Sequence, residues 1–175
     1  MSAPEPTPDL LVGLVGNPNT GKSSIFNALT GFHQHVANWP GKTVEVAHGD
    51  VDVAGVRVRL VDLPGTYSLD GSSPEEEITR NYLVSGEPDA VVIVVDATNL
   101  ERNLYVTVQV LEIGLPAVIA LTMVDVATSR GLEVDAEVLA DRLGVPVVPT
   151  TARHRKGIGE LLDVLIPLAL TDSVT

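Results

Sequence analysis

The stretch Leu10-Leu11-Val12-Gly13-Leu14-Val15-Gly16-Asn17-Pro18-Asn19-Thr20-Gly21-Lys22-Ser23 decides the fold of this chain. An apolar run typical of a buried strand leads directly into a loop with glycines, a lysine and a serine. A helical pattern follows over residues 24–29. Strand, glycine loop and helix in this order are the structural context that the G-x-x-x-x-G-K-S pattern requires. The sequence therefore predicts a phosphate-binding loop (P-loop) rather than an ordinary glycine-rich turn.

Each residue type in this loop has a physical role towards a phosphate. Successive backbone N–H groups can surround the phosphate, and the N-terminus of the following helix adds partial positive charge. We expect the Lys22 ammonium to reach the β- and γ-phosphates of a nucleotide and the Ser23 hydroxyl to ligate Mg²⁺. The predicted nucleotide-binding residues of the loop are Asn17, Pro18, Asn19, Thr20, Gly21, Lys22, Ser23 and Ser24.

The composition is that of one acidic domain. The chain has 175 residues, of which 45% are hydrophobic and 3% aromatic, so its core must consist mostly of aliphatic side chains. A formal net charge of -12 argues against nucleic acid as a partner. The lack of cysteines excludes disulfides and thiolate metal sites. We expect a disordered leader over 1–9, one domain over 10–171 and a tail over 172–175, with the chain alone soluble.

Valine-rich runs alternate with helical patterns along the rest of the chain. Residues 44–61 predict a β-hairpin that turns at Ala54-Gly55, while Ala90–Val95 and Ala117–Leu121 predict buried parallel strands. Right-handed crossovers between such strands give an α/β fold with helices on both faces. We expect a mostly parallel six-stranded sheet with one antiparallel edge strand. The predicted helices cover 74–84, 99–113, 134–143 and 158–170, and Pro167 is expected to bend or end the last one.

The motif Asp62-Leu63-Pro64-Gly65 directly follows the strand predicted over 56–61. A carboxylate at this strand end faces the P-loop and can hold Mg²⁺ through a water. The Gly65 N–H can bond a γ-phosphate, because glycine lets the backbone approach closely. Asp-x-x-Gly alone more often marks a turn, but its place at a strand end downstream of a P-loop favours a nucleotide site.

Thr122-Met123-Val124-Asp125 follows another predicted strand and indicates a pocket for guanine. An Asp carboxylate can accept from guanine N1–H and the 2-amino group, a pair of donors that adenine lacks. After the last predicted strand, a backbone N–H can bond guanine O6. The plainer alternative for Asp125 is a surface residue that opens a loop. The predicted base-binding residues are Thr122, Met123, Asp125, Thr151, Ala152 and Arg153.

These motifs come in the order, and at the strand positions, of a Ras-like P-loop GTPase. The predicted ligands are therefore GTP or GDP with Mg²⁺. One part of such a site remains to be placed, namely a threonine in a loop that closes on Mg²⁺. Its candidates lie in residues 36–45.

Several longer stretches are more selective than these generic motifs. Together they resemble the FeoB family of bacterial ferrous-iron transporters, over about residues 11–170. The stretches are Gly16–Ser23 with Ile25–Gly31, Asn38-Trp39-Pro40-Gly41 with Thr43-Val44-Glu45, Asp62–Leu69, and Val95–Leu104.

The resemblance implies the N-terminal GTPase (G) domain of that family, at the cytoplasmic face of the bacterial inner membrane. In the family, a helical domain and a membrane permease domain that passes Fe²⁺ follow, and both lie outside this chain. The permease domain is the implied partner, and self-association stays open. The implied activity is slow hydrolysis of GTP to GDP and phosphate.

The resemblance also assigns roles to particular residues. Thr43 becomes the threonine that binds Mg²⁺, with switch I over 36–46 and switch II over 62–74. Asn19 matches the asparagine that holds K⁺ in potassium-activated members, which makes K⁺ a candidate activator. The implied catalytic residues are Lys22, Thr43, Gly65 and Asn19, and the implied metal ligands are Ser23, Thr43 and Asp62 for Mg²⁺ and Asn19 for K⁺.

The chain departs from the family pattern at the start of the guanine motif, where Thr122 replaces the usual Asn. The Asn amide braces the P-loop and contacts guanine N7, and a Thr hydroxyl cannot make both bonds, so we expect weaker guanine affinity. Lys42 stands where an apolar residue is common, and we interpret it as a solvated lysine. Thr66 follows Gly65, so no Gln stands there to orient water, which predicts slow intrinsic hydrolysis.

Two other functions remain open at this stage. One is a GTP/GDP sensor that hardly hydrolyses, and the other is a ribosome- or tRNA-associated GTPase of related fold, which the acidic charge disfavours. His33 and His35 have no carboxylate at close spacing in sequence, and His154 lies between Arg153 and Arg155, a poor place for a cation. We therefore interpret these histidines, and His48, as exposed loop residues rather than iron ligands.

Overall fold

The structure, a computed structural model, describes residues 3–39 and 44–172. At its centre is a seven-stranded sheet in the order β2-β3-β4-β1-β5-β6-β7. Strands β4, β1, β5, β6 and β7 are parallel, whereas β3 is antiparallel to both β4 and β2. The strands are β1 (Leu10–Gly16), β2 (His35–Asn38), β3 (Glu45–Val53), β4 (Val56–Asp62), β5 (Ala90–Asp96), β6 (Ala117–Thr122) and β7 (Val147–Pro149).

Helices cover both faces of the sheet. One core lies under α1 and α6, and a second core lies under α2, α3 and α5. In β5, Val92 and Val94 point into the first core while Val91 and Ile93 point into the second, which explains its continuous apolar sequence. The helices are α1 (Lys22–Thr30), α2 (Pro74–Val84), α3 (Leu100–Ile113), α4 (Val124–Ser129), α5 (Ala136–Leu143) and α6 (Ile158–Asp172), with short 3₁₀ turns at Ala97–Asn99 and Ala152–His154.

The α/β class and the mostly parallel sheet are confirmed, but the sheet has one strand more than the six predicted. The additional strand is β2, which pairs with β3 from His35↔His48 to Asn38↔Glu45. Its four residues are all exposed, so no alternation of apolar and polar residues identifies it in the sequence.

Two helices also differ from the expectation. Helix α4 was not predicted, because it has six residues and buries only Ala127 among them. Helix α6 does not end early at Pro167 but continues to Asp172. Pro167 lies in its last two turns, where Thr171 Oγ1 donates a hydrogen bond to the Pro167 carbonyl at 2.7 Å.

The segment before β1 lies along the β3–β4 hairpin. The backbone N–H groups of Asp9 and Arg57 each donate to the other residue at 2.8 Å, and Arg59 contacts Glu5 and the Pro6 carbonyl. The disorder expected over 1–9, and the limits of the domain, stay predictions. In the described ranges, no helix combines the length and apolar character needed to cross a membrane.

Candidate functional site

The P-loop backbone has the curvature that an anion site needs. Asn19 and Gly21 both adopt left-handed conformations, with φ of 64° and 88°. Helix α1 then begins at Lys22, and the Ile25 N–H donates to the Gly21 carbonyl at 3.0 Å. Left-handed residues between right-handed ones turn consecutive N–H groups to one concave side. The loop between β1 and α1 therefore has the conformation of an anion-binding nest.

Internal hydrogen bonds hold this loop in place. The Thr20 hydroxyl donates to the Asn17 carbonyl at 3.0 Å, and the Asn17 amide donates to the Arg102 carbonyl at 3.4 Å. A Cβ at Gly16 would come within 2.9 Å of the Val94 carbonyl, so only glycine fits there. The loop is thus fixed against both β5 and the first turn of α3.

The Asp62–Gly65 segment runs directly against the P-loop, as its position after β4 predicts. Leu63, within the segment, and Thr66, directly after it, donate backbone hydrogen bonds to the carbonyls of Leu14 and Gly16, each at 3.1 Å. A Cβ at Gly65 would lie 3.1 Å from the Pro18 Cα, which is a tight contact with backbone. The Gly65 main chain therefore lies so close to the P-loop that a side chain at residue 65 would force one of the two segments to shift.

An ion pair between Lys22 and Asp62 joins the two loops. The Lys22 ammonium contacts Asp62 Oδ1, and the two side chains are only 10% and 16% exposed. At this low exposure the attraction between the charges is screened less than at the surface. Ser23 is exposed beside them at the start of α1. Hydroxyl and carboxylate oxygens are the ligands that Mg²⁺ prefers, so Ser23 and Asp62 fit this ion chemically.

Two adjoining cavities bring the predicted site residues together. The first, of about 500 Å³, is lined by Asn17, Pro18, Asn19, Gly21, Lys22, Ser23, Ser24 and Gly65. The second, of about 250 Å³, contains all six predicted base-binding residues among its lining: Thr122, Met123, Asp125, Thr151, Ala152 and Arg153. Gly21 and Ser24 line both cavities, so the two adjoin at the C-terminal ends of the strands, and together they are called the cleft.

The base end of this cleft consists of two short irregular segments. Met123 has φ of 61°, which turns the chain sharply after β6 and places Asp125 in the first turn of α4, where it is exposed. On the other side, Thr151 and Lys156 exchange backbone hydrogen bonds at 2.9 and 3.0 Å. This exchange closes the loop that contains Arg153. The cleft is therefore open to solvent at Asp125.

Thr122 makes one of the two contacts expected of an asparagine at its position. Its hydroxyl donates to the Thr20 carbonyl of the P-loop at 2.8 Å, and the Val95 carbonyl lies 3.3 Å from the same oxygen. The brace between the base motif and the P-loop is thus retained without an amide.

Some features of switch II could not be read from the sequence. The Arg102 guanidinium lies 4.3 Å from the centre of the Tyr67 ring, a cation–π contact. Glu76 accepts hydrogen bonds from the Ser68 hydroxyl and from both the backbone and the hydroxyl of Ser72, at 2.7–2.9 Å. These donors hold the pKa of the Glu76 carboxyl below its ordinary value. The only sequence signal was the Ser-x-x-Glu spacing of a helix cap at Ser73.

At the described border of switch I, Trp39 packs edge-on against Tyr82 of α2. The ring centroids lie 5.7 Å apart with an interplanar angle of 89°. Burial raises the pKa of Tyr82 to about 12. Lys42 and Thr43 lie outside the described residues, so the role of Thr43 on Mg²⁺ stays a prediction.

The histidines are placed partly as expected. His33 is exposed in a loop and His154 is exposed in the 3₁₀ turn at Ala152–His154. The loop prediction is wrong for His35, which begins β2, and for His48 in β3, which lies opposite it with the two rings 5.4 Å apart. Within 3–39 and 44–172, no three His, Cys, Asp or Glu side chains come together as a metal site would require.

Comparisons with known proteins agree with this site. The family model described as ferrous iron transport protein B matches residues 10–165. The Fe(2+) transporter FeoB of Salmonella typhimurium is 48% identical over 156 residues, which are 87% of this chain but only 20% of that protein. This chain therefore spans about a fifth of the length of the curated relative that it matches.

Solved structures give the same result. The G domain of T. maritima FeoB matches with a TM-score of 0.86 and 43% identity, over 91% of this chain and 98% of that one. A mutant NFeoB of S. thermophilus bound to mGDP matches with a TM-score of 0.85 and 46% identity, over 89% of this chain and 60% of that one. The fold is therefore that of a FeoB G domain, as the resemblance predicted, and the chain belongs to the ferrous iron transport protein B (FeoB) family.

Proposed function

We propose that this chain binds guanine nucleotides and slowly hydrolyses GTP to GDP and phosphate, as the switch domain of a ferrous-iron transporter. The observation that carries the proposal is the cleft of two adjoining cavities, with a main-chain phosphate nest at one end and the Asp125 carboxylate at the other. A relative of 46% identity, the S. thermophilus protein, has been solved with mGDP.

Each end of the cleft recognises a different part of the nucleotide. The P-loop N–H groups and the Lys22 ammonium bind the phosphates, and Asp125 accepts from guanine N1–H and the 2-amino group. The loop at 151–153 supplies backbone donors to guanine O6. Adenine lacks the donors that Asp125 needs and has an amino group where guanine has O6. The expected selectivity is therefore for guanine over adenine.

Hydrolysis depends on positioning and charge rather than on a strong base. Ser23, Asp62 and Thr43 are the proposed ligands of Mg²⁺, which when bound offsets negative charge on the phosphates. Gly65 donates its backbone N–H to the γ-phosphate and thereby couples switch II to the presence of GTP. Thr66 offers no side-chain amide to orient water. The reaction is therefore expected to be slow without further help.

Potassium is the proposed source of such help. The exposed Asn19 lines the phosphate cavity, and its amide oxygen is a suitable ligand for a monovalent cation. A cation at this place offsets charge that develops in the transition state, as an arginine finger does. Phosphate release from GTP, measured in KCl and in NaCl, tests this role, with an Asn19→Ala variant as the comparison. Equal rates in both salts would exclude it.

The function as a whole is tested by binding and turnover together. Fluorescent GDP and ADP are titrated first, and equal affinities would contradict a guanine site. Multiple-turnover phosphate release is then compared between the wild type and Thr43→Ala, which should lose hydrolysis much more than GDP binding. Unchanged turnover in this variant would reject Thr43 as the switch threonine.

A second candidate, a nucleotide sensor with little hydrolysis, is favoured by Thr66 at the position after Gly65. Such a sensor binds GTP and GDP but releases no phosphate over many turnovers in either salt. In both cases the proposed partner is the membrane permease domain of a full-length protein, at the cytoplasmic face of the inner membrane. The 20% share of the Salmonella transporter that this chain matches supports that arrangement.

A further inference from the structure

A single hydroxyl proton decides what Thr122 can recognise. The residue ends β6 and is 6% exposed. Its Oγ1 lies 2.8 Å from the Thr20 carbonyl oxygen and 3.3 Å from the Val95 carbonyl oxygen. Carbonyl oxygens only accept hydrogen bonds, so the hydroxyl is the donor in either contact. Its one proton goes to Thr20, the closer acceptor, which belongs to the P-loop.

Guanine N7 is also an acceptor and needs a donor of its own. An asparagine amide has two protons and can supply both a main-chain carbonyl and N7. The Thr122 hydroxyl has no second proton. Towards Gly21, which lines the base cavity, Thr122 presents a methyl group, 3.9 Å from where a Cβ at Gly21 would stand.

We propose that Thr122 is a positioning residue that holds the P-loop and leaves N7 of a bound guanine without a side-chain hydrogen bond. The inference rests on the proposed guanine-nucleotide function and sharpens its specificity. The site then recognises guanine by hydrogen bonds from N1–H and the 2-amino group to Asp125, and no side chain donates a hydrogen bond to N7. Guanine nucleotides whose N7 is replaced by C–H are expected to bind as well as GDP.

The test compares three competitors against a ribose-labelled fluorescent GDP. GDP, 7-deaza-GDP and IDP are titrated against the wild type and against Thr122→Asn. For the wild type, the Kd values of 7-deaza-GDP and GDP should agree within about twofold. Thr122→Asn restores a donor for N7, so it should bind 7-deaza-GDP about three- to tenfold more weakly than GDP.

Two further variants separate positioning from shape. Thr122→Val keeps the outline of the side chain but removes the proton, so the Thr20 carbonyl loses its donor from β6. It should weaken GDP and 7-deaza-GDP by the same factor, about three- to tenfold. Thr122→Ser keeps the hydroxyl proton, so its Kd values for GDP and 7-deaza-GDP, and the ratio between them, should be those of the wild type. A residue that only fills space would give the opposite order, with Val better than Ser.

The outcomes distinguish this inference from the function on which it rests. If the wild type binds 7-deaza-GDP more than threefold more weakly than GDP, the inference is overturned while the guanine site stands. If GDP binds no better than ADP, titrated as a fourth competitor, the proposed function fails instead. IDP, which lacks the 2-amino group, should bind more weakly than GDP in every variant. Should Thr122→Asn fail to fold, two measurements still test the inference. They are the ratio of the 7-deaza-GDP and GDP Kd values of the wild type, and the comparison of GDP affinity between Thr122→Val and Thr122→Ser.

Discussion

The phosphate end and the base end of the cleft are built in different ways. At the phosphate end the proposed recognising groups are mostly main-chain amides, beside the Lys22 ammonium, and their placement depends on glycine and on left-handed residues such as Asn19 and Gly21. At the base end, the proposed contacts combine backbone donors of the loop at 151–153 with individual side chains, of which Asp125 is exposed. A site made of main-chain amides requires glycines at fixed spacings in the sequence. In a site made of side chains, one hydrogen-bond donor can be replaced by another, as Thr122 replaces Asn. Substitutions that crowd the backbone should therefore impair the phosphate end. Substitutions that add or remove one hydrogen-bond donor should change affinity at the base end.

The largest effect is expected from Lys22→Ala at the phosphate end. The change removes the ammonium that is proposed to bind the β- and γ-phosphates and leaves Asp62 without its partner. Loss of charge-assisted hydrogen bonds should weaken GDP binding by about 100-fold. Titration of fluorescent GDP measures the effect. Arg142→Ala, in the last turn of α5, removes the same charge elsewhere and should bind GDP normally.

Asp125→Asn should change selectivity at the base end and leave the phosphate end intact. The amide can still accept from N1–H, but it opposes the 2-amino group of guanine with a donor. GDP binding should fall about 10- to 100-fold. XDP, which has a carbonyl at C2, should gain affinity in the variant. If the variant binds GDP as the wild type does, the guanine pocket lies elsewhere.

Gly65→Ala tests the dependence of the phosphate end on backbone space. The added Cβ meets Pro18 backbone at 3.1 Å, so either the P-loop or switch II must shift. We expect about tenfold slower GTP hydrolysis and a smaller loss of GDP affinity, because the proposed contact of Gly65 is with the γ-phosphate, which GDP lacks. Gly159→Ala in α6 meets nothing within 4 Å and is the matched control. Wild-type turnover in Gly65→Ala would contradict the assigned contact.

The smallest effect concerns the pH dependence of switch II. The pKa of Glu76 is lowered by the Ser72 and Ser68 donors, so its ionised form stabilises the folded state above the ordinary carboxyl pKa. That stabilisation is lost as pH falls through the lowered value. Between about pH 5 and about pH 3, the wild-type Tm should fall by about 1 °C more than that of Glu76→Gln.

The control for this pH effect is Glu75→Gln. Glu75 is on the same first turn of α2 and carries the same charge. The Glu75→Gln variant should therefore show the same fall of Tm between about pH 5 and about pH 3 as the wild type. Identical curves for Glu76→Gln and Glu75→Gln would show that the Ser72 and Ser68 contacts contribute nothing to stability.

The same difference between main chain and side chain explains how much the sequence could predict. The P-loop, the Asp62–Gly65 segment and the strands under them were all located, because buried strands and glycine loops carry local patterns. Strand β2 was missed, since all four of its side chains are exposed and its identity comes only from pairing with β3. Helix α4 was missed because six residues with one buried side chain have no detectable period.

Long-range side-chain contacts were equally invisible. The stacking of Arg102 on Tyr67 joins α3 to switch II, and the bond from Thr122 to Thr20 spans 102 positions in sequence. The sequence showed that Thr122 departs from its family, but not which acceptor its proton would find. That choice depends on how closely β6 approaches the P-loop, which only the fold determines.

The contact of Trp39 with Tyr82 gives this molecule a built-in optical reporter. Trp39 is the sole tryptophan of the chain, and it lies at the border of switch I against α2. Any rearrangement that withdraws its indole ring from Tyr82 into water should move its fluorescence emission to longer wavelength. Stopped-flow mixing with unlabelled nucleotide can therefore follow the conformation of this segment in real time, without an attached dye and without mutation.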